Sequence, residues 1–333
     1  MILLAIETSC DDTGAAVIER GLRTLSNIVS SQDEVHKRYG GVVPELASRR
    51  HLENIVPVIR AALDEAKKTL NEVDAVVVTR GPGLVGSLLV GISAAKAIAY
   101  AKDIPLIGVN HLMGHLLAIF LEKKVSFPFI GMVASGGHTA LYLAEGFTNF
   151  RFLGGTRDDA AGEAFDKVAK YLGLGYPGGR VIETLALRGD PKAISFPRAY
   201  IARDSLDFSF SGLKTAVVNY VRSHPSSNDG TADIAASFQE AVVDVLVDKV
   251  IWAAQQQRVE RVVVSGGVAC NGRLRERMKQ EGKKCGIKPY FPSPQFCSDN
   301  ASMIGVAGYQ LFVSGRRDSL DMSALSRWPF GRD

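Results

Sequence analysis

The sequence repeats one pair of local patterns, and this repetition is the strongest constraint on its fold. Residues 1–19, MILLAIETSCDDTGAAVIE, form an apolar run, a small polar turn and a second apolar run. Residues 128–145, PFIGMVASGGHTALYLAE, have the same layout. Short turns of Ser, Thr, Gly and Asp between apolar runs are typical of β-hairpins. Each half of the chain is therefore predicted to begin with a hairpin.

Each predicted hairpin is followed by a buried strand, a glycine loop and a helix. The stretches are DAVVVTRGPGLVGSLLVGISAAKAIA at 74–99 and ERVVVSGGVACNGRLRERMKQ at 260–280. Two copies in the same order predict a duplicated α/β fold, with an N-terminal lobe at 1–127 and a C-terminal lobe at 128–333 facing a cleft. Glycine turns at such a cleft favour nucleotide binding. Two ordinary α/β domains are the alternative, because short alternations also recur by chance.

Between about 151 and 250 the pattern is mostly helical and predicts an insert in the C-terminal lobe. The stretch RDDAAGEAFDKVAKYLGL predicts a helix that begins at Asp158 or Asp159, with a favourable i, i+4 pair of Glu163 and Lys167. Further helices are predicted in FSFSGLKTAVVNYVRS and DIAASFQEAVVDVLVDKVIWAAQQQ. GYPGGR at 175–180 predicts a turn, and HPSSNDGTAD at 224–233 predicts a flexible loop.

Composition narrows the class of protein. The chain has 333 residues, 46% of them hydrophobic, a formal net charge of +4, and four cysteines without a CxxC pair. Such a chain can bury sizeable cores, and its mildly basic charge is compatible with a polyanionic partner without requiring one. The cysteine usage favours a reducing, cytoplasmic location. No signal peptide and no membrane span are predicted, since the apolar run at 86–95 is broken by Lys96.

Two histidines four residues apart, His111 and His115 in NHLMGH, would share one face of a helix and could bind a divalent metal. No carboxylate lies between them, so the general base of an HExxH zinc protease is missing. Two imidazoles leave a metal under-coordinated, and Asp299 in CSDNASMI is a candidate third ligand. Asp299 is also a candidate helix N-cap. The histidines could equally be hydrogen-bonded core residues.

The turn of the second hairpin, ASGGHT at 134–139, is a candidate anion site. Gly136 and Gly137 would let the backbone approach a ligand and present N–H groups to anionic oxygens, and His138 would add a donor. A plain hairpin turn is the structural alternative.

Two other turns could also contact a nucleotide. The first turn could hold phosphate, or an ion bound to phosphate, through Thr8, Ser9 and Asp11, although an Asx turn explains the same residues. SGGVACNG at 265–272 follows a buried strand and opens a helix, so Asn271 could reach a base or sugar, or could cap the helix.

Charged stretches give weaker indications. Asp159, Glu163 and Asp166 share one predicted helix face, which is either solvated or carries a carboxylate that binds ribose. Basic residues cluster in ASRRH at 47–51 and in NGRLRERMKQEGKK at 271–284, where they could contact nucleic-acid phosphates or simply cover a soluble surface.

A series of blocks resembles, in order, one protein family. The blocks are IETSCDDT, GGVVPELASRRH, GPGLVGSLLVG, NHLMGH, SGGHT, DDAAGEAFDKVAK, YPGG, FSFSGLKT, SGGVACN and CSDNASMI. Together they resemble the universal tRNA threonylcarbamoyladenosine-modifying enzymes, whose bacterial catalytic subunit was formerly described as an O-sialoglycoprotein endopeptidase. The resemblance extends from Met1 to about Trp328.

The resemblance implies a duplicated fold of the actin/Hsp70/sugar-kinase (ASKHA) type, which agrees with the internal repetition. It implies that a threonylcarbamoyl group is transferred from threonylcarbamoyl-AMP to N6 of the adenosine just 3′ of the anticodon, in tRNAs that read ANN codons, with release of AMP. It further implies partners of bacterial type. These are tRNA, a smaller paralogous actin-like subunit, a P-loop ATPase, and a separate synthase that makes the donor.

The resemblance also implies a set of site residues. One divalent metal, Fe²⁺ or Zn²⁺, would bind His111, His115 and Asp299. Asp11 matches an acidic residue implicated in activity. Threonylcarbamoyl-AMP, or ATP or AMP, would contact Ala134, Ser135, Gly136, Gly137, His138, Asp166, Gly179, Glu183 and Asn271.

One departure from the family pattern is Met113, which stands where members often have Glu inside the histidine motif. The ligands are unchanged, so metal binding is expected, with an altered contact to a ligand side chain or an altered local charge. Three alternatives to the transferase stay open. They are a metalloprotease, a non-catalytic nucleotide-binding scaffold subunit, and a small-molecule kinase or carbamoyltransferase on the same fold.

Overall fold

The computed structural model describes residues 1–201, 205–224 and 230–332. In its first half the elements are, in chain order, β1 (Ile2–Glu7), β2 (Thr13–Glu19), β3 (Arg23–Ser30), α1 (Asp33–Lys37), α2 (Pro44–Glu65), β4 (Ala75–Gly81), α3 (Val85–Lys102), β5 (Leu106–Asn110) and α4 (His111–Leu117). In the second half they are β6 (Phe129–Ala134), β7 (Thr139–Ala144), β8 (Phe150–Gly155), α5 (Ala161–Tyr171), α6 (Gly178–Ala186), α7 (Ser211–Ser223), α8 (Thr231–Gln257), β9 (Arg261–Ser265), α9 (Gly272–Lys284), β10 (Lys288–Tyr290), α10 (Pro294–Cys297) and α11 (Ala301–Val313).

The two halves build sheets of the same topology. The strand orders are β3-β2-β1-β4-β5 and β8-β7-β6-β9-β10. In each sheet the first hairpin is antiparallel, as in β1–β2 and β6–β7, and its first strand pairs in parallel with the strand before the glycine loop, as in β1–β4 and β6–β9. Both predicted hairpins and both strand–glycine loop–helix units are confirmed. The duplicated α/β fold predicted from the repetition is therefore confirmed.

The sheets lie in alternating layers with helices. Strand β1 is buried on both faces, which explains its unbroken apolar sequence. Its Leu3 packs toward α4 and α11, whereas its Leu4 packs toward α2 and α3 on the opposite face. Phe129 of β6 enters the same central core as Leu3. Helices α4 and α11 thus lie between the two sheets, and α8 and α9 cover the far face of the second sheet.

The predicted helical insert, about 151–250, contains α5, α6, α7 and most of α8. Its first residues instead belong to β8, which pairs with β7 at the edge of the second sheet. Helix α8 packs on β6, β7 and α9. It is the long helix that comes after the third strand of its sheet, as α2 is in the first half, so α8 belongs to the repeated unit and not to the insert. Added helices therefore begin after β8. The division of the chain into lobes at 127/128 stays a prediction.

The start of α5 differs from the prediction. The helix begins at Ala161, and Glu163 accepts a hydrogen bond from the Ala160 N–H at 3.3 Å. Asp158, predicted as a start residue, instead accepts from the N–H of Phe210 at 2.8 Å, because the chain ahead of α7 returns to this point. The predicted pair of Glu163 and Lys167 is confirmed at 2.8 Å.

Two predicted turns end earlier than expected, because a helix begins inside each predicted stretch. Gly178, the fourth residue of GYPGGR, already begins α6. Of the predicted loop at 224–233, residues 225–229 lie outside the described residues, and Thr231 begins α8. Helix α3, Val85–Lys102, has the length and composition of a membrane span. It packs on β4 and α2 with Leu88 and Ala95 buried, as a core helix does.

Candidate metal centre and ligand-binding cleft

Three side chains predicted as metal ligands meet between the two sheets. His111 begins α4 directly after β5, and His115 lies one turn later, with ring centroids 4.7 Å apart. The Oδ1 atom of Asp299 is 3.1 Å from His115 Nε2 and 3.5 Å from His111 Nε2. Both histidines are buried, and Asp299 is partly buried. The structure therefore brings Asp299, which is distant in sequence, to the two histidines of α4.

Asp299 is not the N-cap of α11, which corrects the cap interpretation. The cap is the next residue, Asn300, whose Oδ1 accepts from the Met303 N–H at 3.0 Å. Because Asn300 satisfies the end of the helix, the Asp299 carboxylate is available to face the histidines. Burial alone would raise the pKa of Asp299, but the neighbouring charges of His111 and His115 hold it well below its usual range.

The cluster fits a divalent metal. Among the described residues, neither ring nitrogen of His115 makes a hydrogen bond, and its Nε2 meets Asp299 Oδ1 at 3.1 Å without hydrogen-bond geometry, although a buried imidazole is normally satisfied. Ligand atoms around a tetrahedral ion with bonds of about 2.1 Å lie about 3.4 Å apart. The Asp299 Oδ1 distances of 3.1 and 3.5 Å match this spacing. Imidazole and carboxylate ligands suit both zinc and iron. His111, His115 and Asp299 could therefore hold such an ion.

Glu7 is a functional candidate that sequence reasoning missed. It ends β1, is 1% exposed, and its Oε2 lies 2.9 Å from His111 Nδ1. The Ser9 N–H donates to its Oε1 at 2.5 Å and the Thr79 hydroxyl to its Oε2 at 2.7 Å. Burial would raise the pKa of Glu7, but His111 keeps it lowered. For His111 burial has the opposite effect and would lower the pKa, but the negative charges of Asp299 and Glu7 raise it to about 9.

The position of Glu7 follows from strand pairing. Strands β1, β4 and β5 are parallel neighbours, with Ile6 opposite Val78 and Thr79 opposite Val109. Parallel strands bring their carboxyl ends to one edge of a sheet, where ligands bind in open α/β sheets. The sequence signal that could have found Glu7 was therefore an acidic residue at the end of the apolar run that predicts the first strand.

The turn predicted as an anion site is open in the way that such a site needs. A Cβ built on Gly136 or Gly137 would meet nothing within 4 Å. Within the part of the chain that the structure describes, the N–H groups of these two glycines donate to no protein acceptor. The Ser135 N–H differs, because it donates to the His138 carbonyl at 2.7 Å within the turn. Ala134 is the buried last residue of β6.

His138 connects this turn to the metal candidate. Its ring centroid lies 6.4 Å from that of His111. Burial and the positive charge of His111 lower the pKa of His138 to about 4, so its ring is neutral near pH 7. A neutral imidazole can donate one hydrogen bond to a ligand and accept another.

The remaining predicted ligand residues lie around α5, α6 and α9. Asp166 accepts from the Gly178 N–H at 2.8 Å, and burial raises its pKa to about 6. Gly179 has open space where a Cβ would stand. Glu183 accepts from the Gly272 N–H at 2.7 Å, which ties α6 to the start of α9.

Asn271 confirms the cap interpretation. Its Oδ1 accepts from the Leu274 N–H at 3.0 Å, and its Nδ2 donates to Gln239 at 2.7 Å. One amide hydrogen and one acceptor lone pair are left for a ligand.

The first turn is only partly available to a phosphate. Thr8 is fully buried, and a Cβ on Gly91 of α3 would lie 2.4 Å from its hydroxyl, so Thr8 packs against α3. The Ser9 hydroxyl lies 3.1 Å from His111 Nδ1 and is engaged with that ring. Asp11 lies near enough to Asp166 to raise the pKa of that residue, and burial raises the pKa of Asp11 itself.

The candidate RNA-binding arginines are largely engaged within the protein. Arg273 makes a two-pronged contact with Glu240 at 2.7 and 2.8 Å, and Arg277 contacts Asp244 at 3.1 Å. Arg275 donates to the Ala269 carbonyl at 2.6 Å. In the other basic stretch, 47–51, both arginines pair with acidic residues of α2. These contacts favour a structural explanation of the charge pattern.

Two acidic residues of the predicted α5 face are also engaged within the protein. Asp159 precedes the helix and pairs with Lys167 at 2.7 Å and Lys214 at 3.2 Å. Glu163 also pairs with Lys167, so these two carboxylates hold lysines rather than ribose. Met113, the departure from the histidine motif, is 4% exposed and packs in the apolar core between the sheets.

Asp12 beside this site gives a prediction about pH. Among the described residues, one of its carboxyl oxygens is buried without a hydrogen-bond partner, and burial with the neighbouring Asp11 charge raises its pKa to about 8. The folded state therefore keeps this proton to a higher pH than the unfolded state, and its stability falls as pH rises from about 4 to about 8. We expect Asp12→Asn to melt with the wild type at pH 4.5 and a few degrees above it at pH 8.5.

Thermal denaturation across this pH range measures the effect. Asp64→Asn, which removes an exposed carboxyl on α2, is the control for charge deletion. A melting difference for Asp12→Asn that is the same at all pH values would contradict the assignment.

Comparisons with known proteins identify the family. A family model described as tRNA N6-adenosine threonylcarbamoyltransferase (TsaD) matches residues 23–306. The chain is 55% identical over 331 residues to the protein of that name from Geotalea uraniireducens, covering 99% of this chain and 96% of that one. It is 53% identical over 331 residues to the protein of that name from Syntrophotalea carbinolica, covering 99% and 97%.

Solved structures resemble the fold at low sequence identity. T. kodakarensis HypF aligns with a TM-score of 0.64 at 15% identity, over 94% of this chain and 48% of that one. Component A of (R)-2-hydroxyglutaryl-CoA dehydratase from Acidaminococcus fermentans aligns with a TM-score of 0.55 at 16% identity, over 93% and 98%. These neighbours confirm the predicted actin/Hsp70/sugar-kinase fold. By sequence, over nearly its whole length, the chain belongs to the tRNA N6-adenosine threonylcarbamoyltransferase family.

Proposed function

We propose that this protein transfers a threonylcarbamoyl group from threonylcarbamoyl-AMP to N6 of the adenosine just 3′ of the anticodon, in tRNAs that read ANN codons, and releases AMP. The observation that carries the proposal is the buried cluster of His111, His115 and Asp299 beside the open turn of Gly136 and Gly137. His138 belongs to this turn, and its ring centroid lies 6.4 Å from that of His111 in the cluster. One bound donor could therefore contact both.

The cluster is proposed to bind one divalent metal, Fe²⁺ or Zn²⁺, through His111, His115 and Asp299. Such an ion, when bound, supplies Lewis acidity toward an oxygen of the donor. The unpartnered nitrogens of His115 and the spacing to Asp299 support this assignment.

The donor is proposed to lie along the cleft with its phosphate or developing oxyanion at the free N–H groups of Gly136 and Gly137. Ser135 would shape the turn, since its own N–H is already used. The adenosine end would meet the group formed by Asp166, Gly179, Glu183 and Asn271, with Ala134 and His138 completing the wall.

The reaction needs a bond exchange and one proton transfer. N6 of the tRNA adenosine attacks the carbamoyl carbon, the bond from that carbon to the phosphate oxygen breaks, and AMP leaves with the electron pair. Because an adenine amine is a weak nucleophile, positioning must supply much of the acceleration. We assign to Asp11 a role in activity within the cleft, where the pKa raised by burial makes its carboxylate a better proton acceptor than an exposed aspartate.

The proposal includes partners and a location. These are tRNA, a smaller paralogous actin-like subunit, a P-loop ATPase and a synthase that supplies the donor, all in the cytoplasm. Support for a protein partner comes from an exposed apolar surface on the packed helices α2 and α3. It contains Leu52, Val56, Val85 and Leu89, which are 66, 52, 54 and 48% exposed. Large apolar side chains grouped on a surface are typical of interfaces.

The test is a reconstituted reaction with threonine, bicarbonate, ATP, the donor synthase, the partner subunits and unmodified tRNA. Mass spectrometry of the digested tRNA should detect threonylcarbamoyladenosine with the wild type, and less than about 1% of that yield with His111→Ala/His115→Ala, which lacks two ligands of the centre. No product from folded, metal-loaded wild type would contradict the transferase and favour a non-catalytic scaffold subunit. Protein cleavage that depends on His111 would favour a protease.

A further inference from the structure

We propose that Glu7 is a positioning residue of this centre, which holds His111 so that its Nε2 atom, and not its Nδ1 atom, faces the metal. The inference rests on the metal centre proposed above. Glu7 Oε2 lies 2.9 Å from His111 Nδ1, whereas His111 Nε2 lies on the other side of the ring, 3.5 Å from Asp299. The two carboxylates thus face opposite ring nitrogens.

A histidine that ligates a metal must leave the ligating nitrogen without a proton, so its other nitrogen carries the hydrogen. An ionised carboxylate can only accept hydrogen bonds. Glu7 beside Nδ1 therefore favours the form with a proton on Nδ1 and a free lone pair on Nε2. The Ser9 hydroxyl, 3.1 Å from the same Nδ1, adds a weaker acceptor.

Three donors converge on the Glu7 carboxylate, and this makes an amide a poor replacement. The Ser9 N–H donates to Oε1 at 2.5 Å, and the Thr79 hydroxyl and His111 Nδ1–H reach Oε2 at 2.7 and 2.9 Å. Glutamine has one oxygen and one NH₂ group. With its oxygen at Ser9, the NH₂ would face His111 Nδ1 and favour the form with a proton on Nε2, where the metal must bind. With its oxygen at His111, the NH₂ would face the Ser9 N–H.

The burial of Glu7 supports a specific role for the carboxylate. Glu7 is 1% exposed, and Thr79 is fully buried. An ionised group is expensive to bury unless every lone pair is used. At Glu7 the Ser9 N–H, the Thr79 hydroxyl and the His111 Nδ1–H occupy both carboxylate oxygens, so the buried charge is matched by donors that a single amide oxygen could not all satisfy.

The test compares metal binding by the purified full-length apo-protein of the wild type, Glu7→Gln, Glu7→Asp and Thr79→Val. Competition with a chromophoric chelator gives the Zn²⁺ affinity, and the visible absorption of the Co²⁺ form reports the ligand geometry. We expect Glu7→Gln to bind Zn²⁺ roughly 10- to 100-fold more weakly and to show an altered Co²⁺ spectrum. Glu7→Asp, which keeps the charge with one methylene less, should recover part of the affinity.

Thr79→Val separates positioning from a structural role, because it removes a donor to the same oxygen and leaves the acceptor for His111 intact. It should lower the melting temperature of the apo-protein by as much as Glu7→Gln while binding Zn²⁺ with an affinity near that of the wild type. Equal Zn²⁺ affinity and an unchanged Co²⁺ spectrum in Glu7→Gln would overturn the inference and leave the metal centre standing. A wild type that binds neither ion would overturn the centre and, with it, the inference.

Discussion

Replacement of His115 by alanine is expected to abolish stoichiometric metal binding and to stop threonylcarbamoyladenosine formation. His115 is fully buried, and its two ring nitrogens have no hydrogen-bond partner in the described structure. Loss of an outer partner of a metal site typically weakens binding by roughly 10- to 100-fold, so loss of one of only three protein ligands should exceed that range. Asp299 would retain a single imidazole, His111, within reach.

Metal content by elemental analysis and single-turnover transfer to tRNA measure this prediction. The matched control is His51→Ala, since His51 is also fully buried but bonds to Thr13 at 2.8 Å and to the Cys10 carbonyl at 2.9 Å, and not to His111, His115 or Asp299. It should cost stability and leave the metal content near one ion per chain. Full metal occupancy and wild-type turnover in His115→Ala would refute the centre.

The parts of the fold that were predictable come from patterns that repeat. Both hairpins and both strand–glycine loop–helix units were visible because strands buried on two faces read as unbroken apolar runs. The boundaries of α5 were less predictable, since Asp158 looks like a cap locally and is used instead by Phe210, a residue distant in sequence. A hydrogen bond to a residue that is distant in sequence cannot be predicted from the residues around Asp158 alone.

The candidate site was also only partly predictable from local sequence patterns. Spacing alone placed His111 and His115 on one helix face, but the local pattern made Asp299 a candidate cap of α11 and gave no sign that the next residue, Asn300, takes that role. Glu7 lies in the block IETSCDDT, but no spacing linked it to the histidines, and its contact with His111 became visible when the parallel pairing of β1, β4 and β5 brought the strand ends together. Charge counting likewise could not choose between the two explanations of the basic residues of α9, whose Arg273 pairs with Glu240.

Gly162 is where local propensity and tertiary packing predict opposite effects of alanine. It is the second residue of α5, and its N–H donates to the Ser135 carbonyl at 3.1 Å. In a helix, Gly→Ala usually adds about 1 kcal/mol of stability. Here a Cβ would lie 2.6 Å from the Ser135 carbonyl oxygen and 2.8 Å from the Gly136 nitrogen, both backbone atoms that cannot rotate away. The helix and the glycine turn would have to separate.

We therefore expect Gly162→Ala to destabilise the protein by roughly 1–3 kcal/mol. It should also slow transfer by about 100-fold, because displacement of the turn by a fraction of an ångström moves the N–H groups proposed to hold the donor. Gly212→Ala is the matched control, since Gly212 is the second residue of α7 and its Cβ would meet nothing within 4 Å. That variant should melt at or slightly above the wild-type temperature and transfer at the wild-type rate. If the two variants behaved alike in melting and in single-turnover transfer, helix propensity would govern both positions, and the close contact between α5 and the turn would carry no weight in the reaction.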